Sequence, residues 1–231
     1  MRCFITRIGK PETPIREQRQ EMNMVKKFKT PQEEFWAGEF GTDYIGRNNS
    51  AQLLASNLNF FSKALKQAGW VTSCLEFGAN IGMNLKALQL LYPSIHLNAV
   101  EINQDAVKQL TNLIGENNVF EGSIFEYPVA DKVELSLIKG VLIHINPDML
   151  DTVYEKLYQA SSRLILMCEY YNPSPTAIPY RGHADRLFKR DFAGEMLEKY
   201  PDLKLVDYGF SYRRDPAFPQ DDITWFLMQK A

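Results

Sequence analysis

The segment Leu75-Glu76-Phe77-Gly78-Ala79-Asn80-Ile81-Gly82 joins an acid to two closely spaced glycines where an apolar strand gives way to a helix. Gly78 and Gly82 permit tight turning and close approach of a ligand to the backbone. The unpaired N–H groups that open the helix suit the anionic end of a small molecule. A nicotinamide or flavin dinucleotide loop would read G-x-G-x-x-G, but Asn80 and Met83 stand where its second and third glycines belong. His144 has an ordinary pKa near neutrality, which suits it to take a proton from a hydroxyl or ammonium group. Arg181, His183, Arg186, Lys189 and Arg190, with Asp185 among them, share one long connection, and Arg213-Arg214 lie on another. If both connections fold over one mouth, their arginines could hold a carboxylate or phosphate by bidentate contacts.

The elements that must position these residues are legible. Thr30-Pro31-Gln32-Glu33 is a capping box with proline at the first helical position. The short helix it opens leads into an aromatic, glycine-punctuated stretch from Phe35 to Gly41. A second helix runs from about Ser50, with Leu54, Leu58, Phe61 and Leu65 on one face and Gly69 closing it. Strands are then expected at 71–77, 95–100, 133–138 and 163–169, with helices at 82–91, 103–114 and 147–160. A helix at 192–199 and strands at 203–210 and 223–229 complete the chain. Strands alternating with helices of ten or more residues indicate an α/β fold, a parallel sheet covered by helices on both faces. Ligands bind beyond the carboxyl ends of such strands, which nominates Lys139, Gly140, His144, Tyr170 and Tyr171 around an acceptor. The connections 171–190 and 211–222 are long for a compact domain, and loops of that size carry function.

The 231 residues suit one α/β domain with decoration: an N-terminal arm over 1–29, polar and prone to disorder, then helices and an aromatic lid over 30–70, and the sheet domain over 71–231. Lys and Arg number 26 against 28 Asp and Glu, so there is no basic excess of the kind nucleic-acid binding needs. Asn172-Pro173-Ser174-Pro175 resembles the N-P-P-aromatic motif of amino-methylating nucleic-acid enzymes. However, it follows the fifth strand rather than the fourth and lacks the terminal aromatic. Even the most apolar stretch, Leu135 to Ile145, is interrupted by Lys139 and His144, so no membrane span is expected. Cys3, Cys74 and Cys168 are too scattered for a disulfide framework or a metal site. The expectation is a cytoplasmic monomer or homodimer with no metal.

The E-x-G-x-N-x-G segment resembles the first motif of the class I S-adenosylmethionine-dependent methyltransferases, usually D/E-x-G-x-G-x-G, with Asn80 in place of the middle glycine. That substitution requires Asn80 to adopt a positive φ. The resemblance implies S-adenosylmethionine as cofactor and a Rossmann-like sheet of seven strands, six parallel and the last inserted antiparallel; the strand at 223–229 fits that slot. It also implies that Glu76 orients the amino-acid part of the cofactor beside Gly78, Ala79, Asn80 and Gly82. Glu101, ending the next strand, would accept hydrogen bonds from the ribose. Ile102 would flank the adenine, and Gly122-Ser123-Ile124 would contact its edge. Lys139 and Gly140 would lie near the cofactor too.

A narrower resemblance is carried by the segment from Phe35 to Asn48, by Gly140-Val141-Leu142-Ile143-His144-Ile145, by Glu169-Tyr170-Tyr171-Asn172-Pro173, by Arg181 to Leu187 and by Asp221 to Phe226. It is to the methyltransferases associated with pseudaminic acid biosynthesis, and it implies methylation of an amine or hydroxyl on a small acidic sugar or sugar nucleotide. Trp36, Phe40, Tyr44 and Arg47 read as a lid whose aromatic faces attract a sulfonium and whose closure excludes water, with Trp36 and Arg47 toward the cofactor. Tyr44, His144, Arg181, His183, Arg186 and Arg213 are the residues expected around the acceptor, and His144, Tyr170 and Tyr171 the candidates for proton transfer. Two alternatives stay open: a cofactor-binding module without catalysis, and a methyltransferase for another small metabolite.

Overall fold

The Thr30–Glu33 capping box forms as the sequence predicts. In the computed structural model, which describes residues 28–46, 49–182 and 186–231, the Thr30 hydroxyl accepts from the Glu33 N–H and the Glu33 carboxylate accepts from the Thr30 N–H at 2.8 Å. Residues 1–27 of the expected arm, Arg47 and His183 lie outside the described residues. The box opens α1 (Pro31–Ala37), and after Gly38 comes α2 (Glu39–Ile45). The aromatic stretch is therefore a helical hairpin rather than a loop. Gly41 sits inside it because a Cβ there would overlap the Trp36 carbonyl oxygen.

Ser50 caps α3 (Ala51–Ala64), which ends earlier than expected. Tight turns from Leu65 to Ala68 follow, and Gly69, at φ 67°, comes after them rather than closing the helix. Then come β1 (Ser73–Phe77), α4 (Met83–Leu91), β2 (His96–Glu101), α5 (Gln104–Ile114), β3 (Val119–Glu121) and β4 (Val133–Lys139). The expected helix at 147–160 begins as a 3-10 turn at Pro147–Met149 and becomes α6 only at Leu150–Ala160. After β5 (Ser161–Glu169), the long 171–190 connection contains a small hairpin, β6 (Thr176–Ala177) and β7 (Phe188–Lys189), which the sequence did not suggest. The chain ends with α7 (Phe192–Lys199), β8 (Leu203–Ser211) and β9 (Ile223–Lys230).

The large sheet has the order β3-β2-β1-β4-β5-β9-β8, with β9 antiparallel to both neighbours and the remaining strands parallel to one another. Period-two alternation divides its side chains between two apolar layers. Cys74, Leu135, Leu137, Leu164 and Leu166 pack with Phe60, Phe61 and Leu88 on one face. Leu75, Phe77, Ile138, Ile165 and Met167 pack with Val153, Leu157 and Met196 on the other. Burying each such side chain stabilises the fold by roughly 1.5–3 kcal/mol. Register then sets the site: the carboxyl ends of the parallel strands, carrying Phe77, Glu101, Lys139 and Glu169, converge on one edge of the sheet. Among the described residues no helix is long and apolar enough to cross a membrane.

Candidate active site

The glycine loop leaves β1 with three residues in left-handed conformation: Gly78 at φ 76°, Asn80 at φ 49° and Gly82 at φ 80°. Asn80 thus takes the positive φ that its place in the motif requires, and its side-chain oxygen accepts from the Ile81 N–H at 2.7 Å. Gly78 also has no room for a side chain, since a Cβ would fall 2.6 Å from Val141. Glu101, at the end of β2, holds this loop. Its carboxylate accepts from the backbone N–H groups of Asn80 (2.7 Å), Ile102 (2.9 Å) and Asn103 (2.8 Å). Burial pushes its pKa up, against the pull of those three donors.

Beyond the strand ends lies a cavity of about 260 Å³. Gly78, Ala79, Asn80, Glu101, Ile102, Gly122, Ser123, Ile124, Lys139 and Gly140 wall it from the strand ends and the turns that follow them. Trp36, Tyr44, Ile143, His144, Tyr170, Tyr180, Leu187 and Asp221 complete the wall from the helical hairpin and the longer connections. The α1–α2 hairpin forms part of this wall, and Asn103 ties it down by donating from Nδ2 toward the carbonyls at its turn, 3.3 Å from that of Trp36. Trp36 packs against His144 with ring centroids 4.8 Å apart and edge-on to Tyr44 at 5.4 Å.

His144 sits on the 3-10 turn Leu142–His144 after β4. Its Nδ1 is 2.6 Å from the Arg186 carbonyl oxygen, and a carbonyl only accepts, so Nδ1 carries the hydrogen and Nε2 is the acceptor of the neutral ring. Burial lowers its pKa to about 4 against the opposing effect of that hydrogen bond. The turn is held by Glu169 at the end of β5, whose carboxylate accepts from the N–H groups of Val141 (3.0 Å) and Leu142 (2.9 Å), with that of Ile143 at 3.5 Å. Tyr170, also on the wall, is kept protonated: burial, followed by the charges of Asp221, Tyr44 and Glu169, raises its pKa.

Glu76 is fully buried behind the loop. Its Oε1 accepts from Asn84 Nδ2 at 2.6 Å, and its Oε2 has no partner among the described residues. Asn84 in turn accepts from Asn57 (3.0 Å), and Asn57 from Gln220 (2.9 Å), a relay of amides running from the 211–222 connection to β1. Burial raises the Glu76 pKa from an ordinary 4.5 to about 8, with Asn84 and Lys139 pulling it down and Glu101 adding to the rise. The folded protein therefore keeps a proton that the unfolded chain gives up, so this stabilisation is complete below pH 4.5 and lost as pH rises through about 8. Glu76→Gln cannot ionise and should match the wild type near pH 5 yet resist urea better above about pH 8, by as much as roughly 4 kcal/mol. Equal pH dependence of the two proteins would show that Glu76 does not titrate in this way.

Several nominated residues fall elsewhere. Tyr171 is 44% exposed, faces the Phe226 ring and bridges to Arg190, outside the cavity. Arg181 lies over the Phe40 and Tyr180 rings and Arg186 over Phe35. Arg213 pairs with Asp222 at 3.4 Å. None of these three arginines lines the cavity. Asn57, Asn84, Gln220, Asp221 and Glu169 went unnominated. Only Glu169 carried a signal, since it is an acid ending an apolar strand, as Glu101 is.

No protein-family model matches the chain, and no curated protein does. Solved structures do. A mitomycin 7-O-methyltransferase superposes with a TM-score of 0.63 at 13% identity, covering 87% of this chain, while this chain spans only 61% of that enzyme. The 1,6-didemethyltoxoflavin-N1-methyltransferase of Burkholderia thailandensis, with bound 1,6-didemethyltoxoflavin and S-adenosylhomocysteine, gives 0.63 at 16% identity over 97% of this chain and 93% of its own. The magnesium protoporphyrin IX methyltransferase of Synechocystis PCC 6803, with bound S-adenosylhomocysteine, gives 0.60 at 10% identity over 86% and 98%. With the strand order and the glycine loop, these likenesses define the fold as the Rossmann-like fold of class I S-adenosylmethionine-dependent methyltransferases.

Proposed function

We propose that the protein is an S-adenosylmethionine-dependent methyltransferase acting on a nitrogen or oxygen of a small molecule. The observation that carries this reading is the left-handed glycine loop, locked to the Glu101 carboxylate at the mouth of a cavity beyond the strand ends. The residues fit the cofactor. A carboxylate offers about four acceptor positions, and the three backbone N–H groups on Glu101 leave one for a ribose hydroxyl. Glu76 keeps a buried oxygen without a partner, and an added Cβ at Gly140 would meet only open space on the cavity wall. Ile102 and the 122–124 segment would hold the adenine; Lys139 would lie near the amino-acid part.

When bound, S-adenosylmethionine supplies a methyl group on a sulfonium, already a good leaving group. The protein's contribution is then alignment and exclusion of water. Trp36 and Tyr44 close the cavity from the α1–α2 hairpin, and His144 Nε2 is the neutral acceptor available on the wall. An acidic sugar is an acceptor that rests on sequence resemblance alone, and the wall gives it little support, because none of Arg181, Arg186 and Arg213 lines the cavity. Calorimetric titration with S-adenosylmethionine and S-adenosylhomocysteine tests the reading. Micromolar binding of both is expected, on the order of −8 kcal/mol, and failure of both to bind at millimolar concentration would sink it.

A further inference from the structure

The acceptor end of the cavity is aromatic and, in its free charge, negative. Four charged residues are among those that wall the cavity: Glu33, Glu101, Lys139 and Asp221. Three are already engaged. Glu33 closes the capping box with Thr30, and Glu101 holds the glycine loop. Lys139 lies 5.5 Å from the Phe60 ring centroid, and its charge acts on the buried Glu76 and Glu169. Asp221 is exposed at the mouth and makes no ion pair among the described residues. Asp221 lines the cavity together with Tyr44, Tyr170 and Tyr180, with Trp36 packed beside Tyr44 and His144 beside Tyr180. Aromatic faces with a nearby carboxylate stabilise a cation and disfavour an anion.

Building on the methyltransferase reading, we propose that the acceptor is an amine, methylated on nitrogen among Trp36, Tyr44, Tyr170 and Tyr180, with Asp221 as the carboxylate that faces the positive charge formed there. In the step, the lone pair of the uncharged amine forms the new N–CH₃ bond as the S–CH₃ bond breaks. Sulfur keeps that electron pair and becomes the thioether of S-adenosylhomocysteine, and the nitrogen takes the positive charge. A primary or secondary amine can then release an N–H proton to solvent. The cage is thus complementary to charge that develops during transfer, which is where complementarity raises rate. A hydroxyl acceptor would need to lose its proton as the bond forms. The acceptor nitrogen on the wall belongs to His144, whose burial leaves it a weak base; an amine that releases its ammonium proton to solvent before transfer carries a free lone pair and needs no base during the step.

The test uses the full chain saturated with S-adenosylhomocysteine and three probes: benzyltrimethylammonium as the cationic mimic of a methylated amine, benzyl alcohol as a neutral counterpart and benzoate as the anion. The cation should bind about tenfold tighter than either of the others. Asp221→Asn should remove most of that preference, and Trp36→Leu should weaken cation binding independently of Asp221. Equal or tighter binding of benzoate, or no cation binding at 10 mM (on the order of the weakest affinity worth calling a site), overturns the proposal. A cation preference unchanged in Asp221→Asn and in Trp36→Leu overturns it as well. Titration of S-adenosylhomocysteine beforehand separates the two levels. If it binds and no cation preference follows, the amine assignment alone falls; if it does not bind, the methyltransferase reading and the assignment fall together.

Discussion

Glu101→Ala should weaken S-adenosylhomocysteine binding by about 100-fold or more, the largest loss of affinity expected from any single change in the cavity. Two effects combine. The carboxylate offers its remaining acceptor position to a ribose hydroxyl, and a hydrogen bond to a charged group contributes more than a neutral one. The same carboxylate also fixes the loop by accepting from Asn80, Ile102 and Asn103. Without it, Asn80 loses the partner that holds its left-handed backbone, and the loop that should meet the cofactor loses its shape. Glu101→Gln should fare little better, because its amide would set N–H groups against backbone N–H groups. Calorimetry on protein whose circular dichroism is unchanged measures the loss. An affinity within about twofold of wild type, on the order of 0.4 kcal/mol, would mean that Glu101 neither shapes the loop nor touches the ligand.

Glu169→Ala should produce the largest loss of stability. The buried carboxylate is the acceptor for the N–H groups of Val141 and Leu142, and its removal strands both inside the protein at roughly 1–3 kcal/mol each. A total near 3 kcal/mol is expected in urea unfolding, together with loosening of the turn that carries His144. Burial raises the Glu169 pKa to about 7, so its ionised form is itself strained in place. The wild type should therefore lose stability as pH climbs from 4.5 through 7, and the variant should not lose that share. An alanine variant as stable as the wild type at pH 5, with no change in that slope, would remove Glu169 from the account of the turn.

Most of the fold was legible because its signals are local. The Thr30 box and the alternation of apolar strands with amphipathic helices each lie within a few residues of the element they define. The cofactor end was legible for the same reason, since Glu76, Gly78, Gly82 and Glu101 lie on one strand–helix–strand unit. The acceptor end was legible only in part: Trp36, Tyr44, His144 and Tyr170 were nominated and wall it, but its other residues carried no local signal. Asn57 and Gln220 meet across 163 positions of chain, and nothing near either one announces the other. Nothing near Arg181 or Arg186 in the chain announces that they lie against Phe35, Phe40 and Tyr180 and not among the lining residues of the cavity. Tyr171 could have been separated from Tyr170 beforehand, because neighbours at a strand end point to opposite sides and only one can face a given cavity.

The amide relay gives this difference between the two ends a further meaning. Gln220 donates to Asn57, Asn57 to Asn84 and Asn84 to Glu76, so every member has its nitrogen turned the same way. It is a chain with one polarity, ending on the Glu76 oxygen that accepts from Asn84. Exchange of Asn57 for aspartate preserves shape yet removes the donor, leaving two acceptors face to face at its link to Asn84. The position beside Asp221 is thereby tied, through two asparagines, to the acid beneath the glycine loop, so a change at Gln220 is felt first in how Asn84 is held against Glu76.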